Sequence, residues 1–216
     1  MSNYIIFDMD GVLVDSEPIH MEILNEFLTK LNVSISLEYY FSLVGMGGLL
    51  IWEKLKRDYN LDGDPNNLYV SHKKYFHSVI KSKHIPPVKG IKTLLNQLKG
   101  EEYSISLGSS SPIKLIEHSI HLIGIQDYFD HLVSSEHVKN GKPFPDIFLR
   151  IAELYDVEPS KFTVIEDSHN GVIAAKAAGM KCIGFRNPNS GNQNLSKADL
   201  IIDHFSELSD KVLKGF

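Results

Sequence analysis

The stretch Tyr4-Ile5-Ile6-Phe7-Asp8-Met9-Asp10-Gly11 constrains the fold of this chain more than any other. Tyr4–Phe7 is a short apolar run with aromatic and β-branched members, the pattern of a buried parallel strand covered on both faces. Two carboxylates come next, separated by one residue, and then a glycine. Alternation along a strand puts Asp8 and Asp10 on the same side, where the sheet ends and the chain must turn. Anions held that close repel, so a cation or a shared proton belongs between them. An ordinary Asp-Gly turn accounts for the glycine; a metal-bound nucleophile beside an acid/base accounts for both carboxylates.

Beyond Gly11 the chain leaves the sheet quickly. Val12-Leu13-Val14 fits a tight turn or a small hairpin, and Asp15 or Ser16 can cap a helix that has Glu17 and Pro18 in its first turn. Ile19, Ile23, Leu24, Phe27, Leu28 and Leu31 recur at helical spacing. Further helical patterns cover Leu37–Leu43, Leu49–Tyr59 and Asn67–Lys81, and no strand interrupts them. Residues 16–81 therefore read as a helical bundle inserted after the first strand, leaving 1–15 and 82–216 as an α/β core. At 216 residues the chain has room for both. Within the insert, Val44-Gly45-Met46-Gly47-Gly48 either makes a sharp bend or brings its backbone up to a substrate. His20 either is a plain helix residue or faces the same cleft.

From Pro86-Pro87 and Gly90 onward, strand and helix alternate. Strands are expected at Tyr103–Leu107, His131–Ser134, Phe162–Ile165, Lys181–Phe185 and Leu200–Ile202. Helices are expected at Ile91–Leu98, Pro112–Ile123, Pro145–Tyr155, Ser168–Ala178 and Phe205–Leu213. Strands separated by such helices form right-handed crossovers, and so a doubly wound parallel sheet of Rossmann type. Ligands bind beyond the carboxyl ends of strands in such sheets. The first strand delivers Asp8 and Asp10 there. The second delivers Gly108-Ser109-Ser110-Ser111 just before a helix start, where hydroxyls and free amides suit a phosphate. Ser111 can cap that helix, leaving Ser109 and Ser110 for the ligand. The third leads to Asn140-Gly141-Lys142-Pro143, and the fourth ends in Glu166-Asp167-Ser168. Four consecutive strand ends thus supply carboxylates, a hydroxyl, a lysine and carboxylates.

Taken together, these residues resemble the haloacid dehalogenase superfamily, in its phosphatase and β-phosphoglucomutase-like branch with a helical cap. The resemblance is carried by Asp8-Met9-Asp10-Gly11-Val12-Leu13-Val14-Asp15-Ser16-Glu17, by Ser109, by Gly141-Lys142-Pro143 with Pro145-Asp146, and by Glu166-Asp167-Ser168 with Gly171. It implies Asp8 as nucleophile, Asp10 as general acid/base, and Ser109 and Lys142 as phosphate ligands. It also implies Mg2+ held by Asp8, Asp167 and the main-chain carbonyl of Asp10, with Glu166 assisting. Dehalogenating members lack the second aspartate, so Asp10 speaks against halide displacement. A sugar phosphomutase is the rival. His20 fits it, but the mutase loop carries an arginine that grips a second phosphate, and this chain has glycine at the nearest position, Gly45-Met46-Gly47-Gly48.

The expectation is therefore a magnesium-dependent phosphatase acting on a small phosphorylated metabolite, a sugar phosphate in particular, with the mutase as alternative. A non-enzymatic receiver-like module also combines acids, a hydroxyl and a lysine on a parallel sheet, but it is about half as long and lacks the insert. With a net charge of −5 and no long basic run, nothing favours nucleic acid or an anionic membrane as partner. No apolar stretch nears the roughly 20 residues of a membrane span, and the N-terminal residues lack a basic segment leading into a long apolar one, so no secretory signal is expected. Cys182 is the only cysteine, which excludes an internal disulfide and fits a reducing cytoplasm; a monomer is expected.

Overall fold

A computed structural model describes residues 4–215. In chain order these form β1 (Tyr4–Phe7), α1 (Glu17–Thr29), α2 (Leu37–Phe41), α3 (Gly48–Tyr59), α4 (Pro65–Val79), α5 (Ile91–Gly100), β2 (Ser104–Ser109) and α6 (Ile113–Leu122). They continue with β3 (His131–Ser134), α7 (Asp146–Tyr155), β4 (Phe162–Glu166), α8 (His169–Ala177), β5 (Lys181–Phe185), β6 (Leu200–Ile202) and α9 (Asp210–Gly215). The chain divides into two compact units: one ends at Asp15 and resumes at Pro86, and the other is Ser16–Ile85. The return to the first unit thus falls at the Pro86-Pro87 pair, four residues beyond the expected 81/82 boundary.

The first unit is a six-stranded sheet of order β3-β2-β1-β4-β5-β6 with every pairing parallel. β1 lies inside the sheet. Its Phe7 stands level with Leu107 on β2 and with Ile165 on β4. That register brings Asp8 and Asp167, just past β1 and β4, and Glu166, the last residue of β4, out side by side with Gly108 and Ser109 at the carboxyl edge. β4 is buried along its whole length, as a strand covered on both faces must be. Ile147, Phe148 and Ile151 of α7 are fully buried at helical spacing and pack with Ile6, Phe162 and Val164 of the sheet. Small residues of α8, Val172, Ala174 and Ala175, join the same core.

The loop after β1 is tight. Leu13 and Val14 donate to the Met9 carbonyl at 2.9 and 3.0 Å, and Gly11 N–H donates to Val14 at 2.8 Å. This is the turn expected at Val12–Val14, and it returns the chain toward Pro87 through a single bridge from Val14. Ser16 stands at the cap position of α1 but makes no side-chain cap bond. β2 runs two residues further than its alternation suggested, so Gly108 and Ser109 belong to the strand itself and Ser109 pairs with Ser134. The final helical stretch is split into a 3₁₀ turn at Phe205–Glu207 and α9. No helix among the described residues is long and apolar enough to cross a membrane.

The second unit is wholly helical among its described residues. Leu24, Leu28, Tyr40, Leu43, Trp52 and Leu55 form its core. α4 begins earlier than Asn67, because Asp64 accepts from the amides of Asn66 and Asn67 and Pro65 takes the first helical position. His72 is an aromatic core partner, its ring 5.3 Å from Phe27 and 5.4 Å from Trp52, while Lys73 and Lys74 lie exposed on the solvated side of α4. Burial, with the nearby His20 adding to it, lowers His72 from 6.5 to about 4, and its Nε2 is buried with no hydrogen-bond partner. A histidine whose folded pKa is depressed stabilises the fold fully above its unfolded value and less as pH falls. Stability should therefore drop by about 3 kcal/mol between pH 6.5 and 4 from this group. Thermal melts across that range should show the drop in the wild type and a flatter profile in His72→Phe.

Candidate active site

Four strand ends meet at the carboxyl edge of the first unit. Lys142 is the link between them. It arrives on the loop between β3 and α7, and Asp146 at the start of α7 holds that loop by accepting from the backbone and side-chain amides of Asn140 at 3.1 and 3.0 Å. The Lys142 ammonium then donates to Asp8 Oδ1 at 2.5 Å, to Glu166 Oε1 at 2.8 Å and to the Gly108 carbonyl at 3.0 Å. Its side chain is only 5% exposed, and the Phe148 ring lies 5.0 Å from the ammonium. Burial alone would lower the lysine's pKa, but the Asp8 and Glu166 carboxylates outweigh it and hold the group charged.

Asp8, Glu166 and Asp167 each offer a carboxylate oxygen, all within 4.8 Å of one another. Burial pushes Asp8 up to about 7; Lys142 opposes that rise, while Glu166 and Asp10 add repulsion. One lysine thus neutralises the cluster only in part. Ser168 orients Glu166, whose Oε2 accepts from the Ser168 amide at 2.7 Å and hydroxyl at 2.8 Å. The same hydroxyl accepts from Gly171 N–H at 3.1 Å and so caps α8. Gly171 is needed for this close packing, because a Cβ there would fall on the Glu166 carboxylate.

Asp10 lies beside the cluster, and Ser111 donates to its Oδ2 at 3.0 Å. Ser111 therefore does not cap α6 as expected: Pro112 holds the cap position without a side-chain bond, and the hydroxyl is drawn to a carboxylate instead. Ser109 is buried, and its Oγ accepts from the Ser111 amide at 3.0 Å. Ser110 is exposed at the strand end, with its carbonyl accepting from Ser135 at 2.7 Å. The structure thus gathers Asp8, Lys142, Glu166 and Asp167 into one cluster, with Asp10, Ser109 and Ser111 around it.

Two contributors carry no sequence motif of their own. Asn187 and Ser190, on the loop after β5, bond to the Gly11 carbonyl and to Asp167 respectively. Their one signal is the turn-rich run Asn187-Pro188-Asn189-Ser190-Gly191 at a fifth strand end. Gly45 and His20 belong to the helical unit. There they line a hollow of about 280 Å³ together with Glu17, Trp52, Tyr69 and His72, and no lysine or arginine lines it.

A parallel sheet with an acid pair leaving its central strand, a lysine and a second acid pair on neighbouring strand ends, and a helical unit inserted after the first strand defines a class of α/β hydrolase. The family model for haloacid dehalogenase-like hydrolases matches residues 5–185. The chain belongs to that family, in its β-phosphoglucomutase-like branch. It is 30% identical over 183 residues to a phosphorylated carbohydrates phosphatase of Thermotoga maritima, covering 83% of this chain and 82% of that one. It is 28% identical over 215 residues to the β-phosphoglucomutase of Bacillus subtilis, covering 97% and 92%. Among solved structures, CbbY from Rhodobacter sphaeroides in complex with phosphate has a TM-score of 0.79 at 25% identity, with 97% of both chains covered.

Proposed function

We propose that the chain is a magnesium-dependent phosphoric monoester hydrolase acting on a small phosphorylated metabolite, a sugar or polyol phosphate, through a phosphorylated Asp8. The observation that carries this reading is the Lys142 ammonium held between Asp8 and Glu166 beside Asp167. Hard carboxylate oxygens gathered around a surplus of negative charge fit a divalent cation of the magnesium type. Asp8 and Asp167 would hold it with the Asp10 carbonyl, and when bound it supplies charge neutralisation for a phosphate approaching a carboxylate.

This chain's own groups carry the rest. Asp8 attacks phosphorus through its carboxylate oxygen; the bond to the leaving alkoxide breaks, and an aspartyl-phosphate remains. Lys142 orients the carboxylate and offsets charge on the transferring group. Ser109 and Ser110, at the end of β2, offer a hydroxyl and backbone amide to phosphate oxygens. Asp10, positioned by Ser111, protonates the departing alkoxide and then takes a proton from the water that cleaves the acyl phosphate.

Hydrolysis is preferred to mutase chemistry because a mutase must hold a second phosphate, and the loop where the mutases carry the arginine that grips it reads Gly45-Met46-Gly47-Gly48 in this chain. The reading includes a monomer, and a place in the reducing cytoplasm that the single buried cysteine, Cys182, fits. The test is phosphate release across sugar phosphates, polyol phosphates and nucleotides. A chelator is expected to remove more than about 99% of turnover and excess Mg2+ to restore it. Release from no ester under any divalent metal would end the proposal. Isomerisation of a hexose phosphate primed by glucose 1,6-bisphosphate would favour the mutase.

A further inference from the structure

The turn after β5 sends three side chains to residues far away in sequence. Asn187 Nδ2 donates to the Gly11 carbonyl at 2.8 Å, and Asn189 Nδ2 donates to Asp15 Oδ2 at 2.7 Å. The Ser190 hydroxyl donates to Asp167 Oδ2. The turn is braced from within, since the Asn189 amide donates to Asn187 Oδ1 at 2.8 Å and the Ser190 amide to the Asn187 carbonyl at 3.1 Å. Asn187 and Ser190 are 7% and 4% exposed. Gly11 adopts φ +79°, and a Cβ there would strike both the Asp167 carboxylate and the Ser190 hydroxyl. The catalytic loop, the second acid pair and this turn are therefore in direct contact.

We propose that Ser190 and Asn187 are positioning residues for the cation site: Ser190 fixes the rotation of the Asp167 carboxylate, and Asn187 fixes the Gly11 peptide that comes after Asp10. The inference rests on the cation-dependent reading of the site. A carboxylate that binds a metal through one oxygen must be stopped from turning, and a donor on the other oxygen does this. A hydroxyl is suited to the task because it stabilises the charged carboxylate without bringing a competing cation. Asn187 acts on the other wall. The Asp10–Gly11 peptide is held by the Gly11 N–H bond to the Val14 carbonyl at 2.8 Å, and Asn187 holds the next peptide, so the free rotation that glycine would allow between the two planes is restrained from both sides.

The test is calorimetric titration of Mg2+ into the metal-free full chain, with thermal melts of the same samples. Ser190→Ala should weaken Mg2+ binding by about 10- to 100-fold, while its metal-free melting temperature stays close to wild type. Ser190→Thr keeps the hydroxyl and should restore affinity to within about threefold of wild type. Should Ser190→Ala fail to fold, Ser190→Cys keeps the volume with a weak donor and is expected to show the same loss. Mg2+ affinity within about twofold of wild type in the folded variant overturns the proposal, as does a lowered metal-free melting temperature with affinity unchanged. No heat of Mg2+ binding in the wild type itself would overturn the cation-dependent reading, and that outcome is told apart by arising before any substitution.

Discussion

Asp8→Asn should remove turnover by about ten-thousand-fold or more while the metal-free protein melts at or above the wild-type temperature. The two halves of this expectation have one cause. An amide is nearly the same shape as a carboxylate but cannot attack phosphorus, so no covalent intermediate forms. It also carries no charge into a site where burial disfavours the Asp8 anion strongly enough to raise it to about 7. Removing that charge relieves a cost of folding rather than adding one. Phosphate release and a thermal melt on the same preparation check both halves. Activity within about tenfold of wild type would show that Asp8 is not the nucleophile.

Lys142→Met should have the largest effect on stability. The Asp8 and Glu166 side chains are 10% and 1% exposed, and the lysine that bridges them is 5% exposed. Methionine fills much the same volume but leaves two buried carboxylates without their ammonium. Breaking a buried pair from one side costs about 3–5 kcal/mol, equivalent to a fall of about 10 °C for a chain of this size. Adding Asp8→Asn to Lys142→Met should recover a good part of the loss, because the repulsion between Asp8 and Glu166 is then gone. Melts of both single variants and the double variant measure this coupling. A fall below about 2 °C for Lys142→Met would mean that the carboxylates find compensation without it.

Most of the sheet and its insert are legible in the sequence because their signals are local. Tyr4–Phe7 and Phe162–Ile165 are uninterrupted apolar runs, and the α1 apolar residues keep a helical period. The first acid pair stands out because Asp-Met-Asp-Gly places two charges where a strand must end. What is not legible depends on partners distant in sequence. Ser111 sits where a helix cap belongs, and only the nearness of Asp10 shows why its hydroxyl points elsewhere. Ser190 and Asn187 occupy a turn with ordinary turn composition, and their partners Asp167 and Gly11 are set by the strand order rather than by any spacing. His72 packs against Phe27 and Trp52 while Lys73 and Lys74 beside it lie exposed, a difference that tertiary packing alone makes.

The position of β1 in the sheet order also bears on how the chain assembles while it is being made. Tyr4 pairs with Ser104 on one side and with Phe162 on the other, so β1 is made long before either of its neighbours. The helical unit closes on contacts within Ser16–Ile85 and can take shape long before the ribosome reaches β4. Sequence-distant pairings form slowly and leave apolar segments waiting. Tyr4-Ile5-Ile6-Phe7 is such a segment, apolar and unpaired until β2 and β4 have been made.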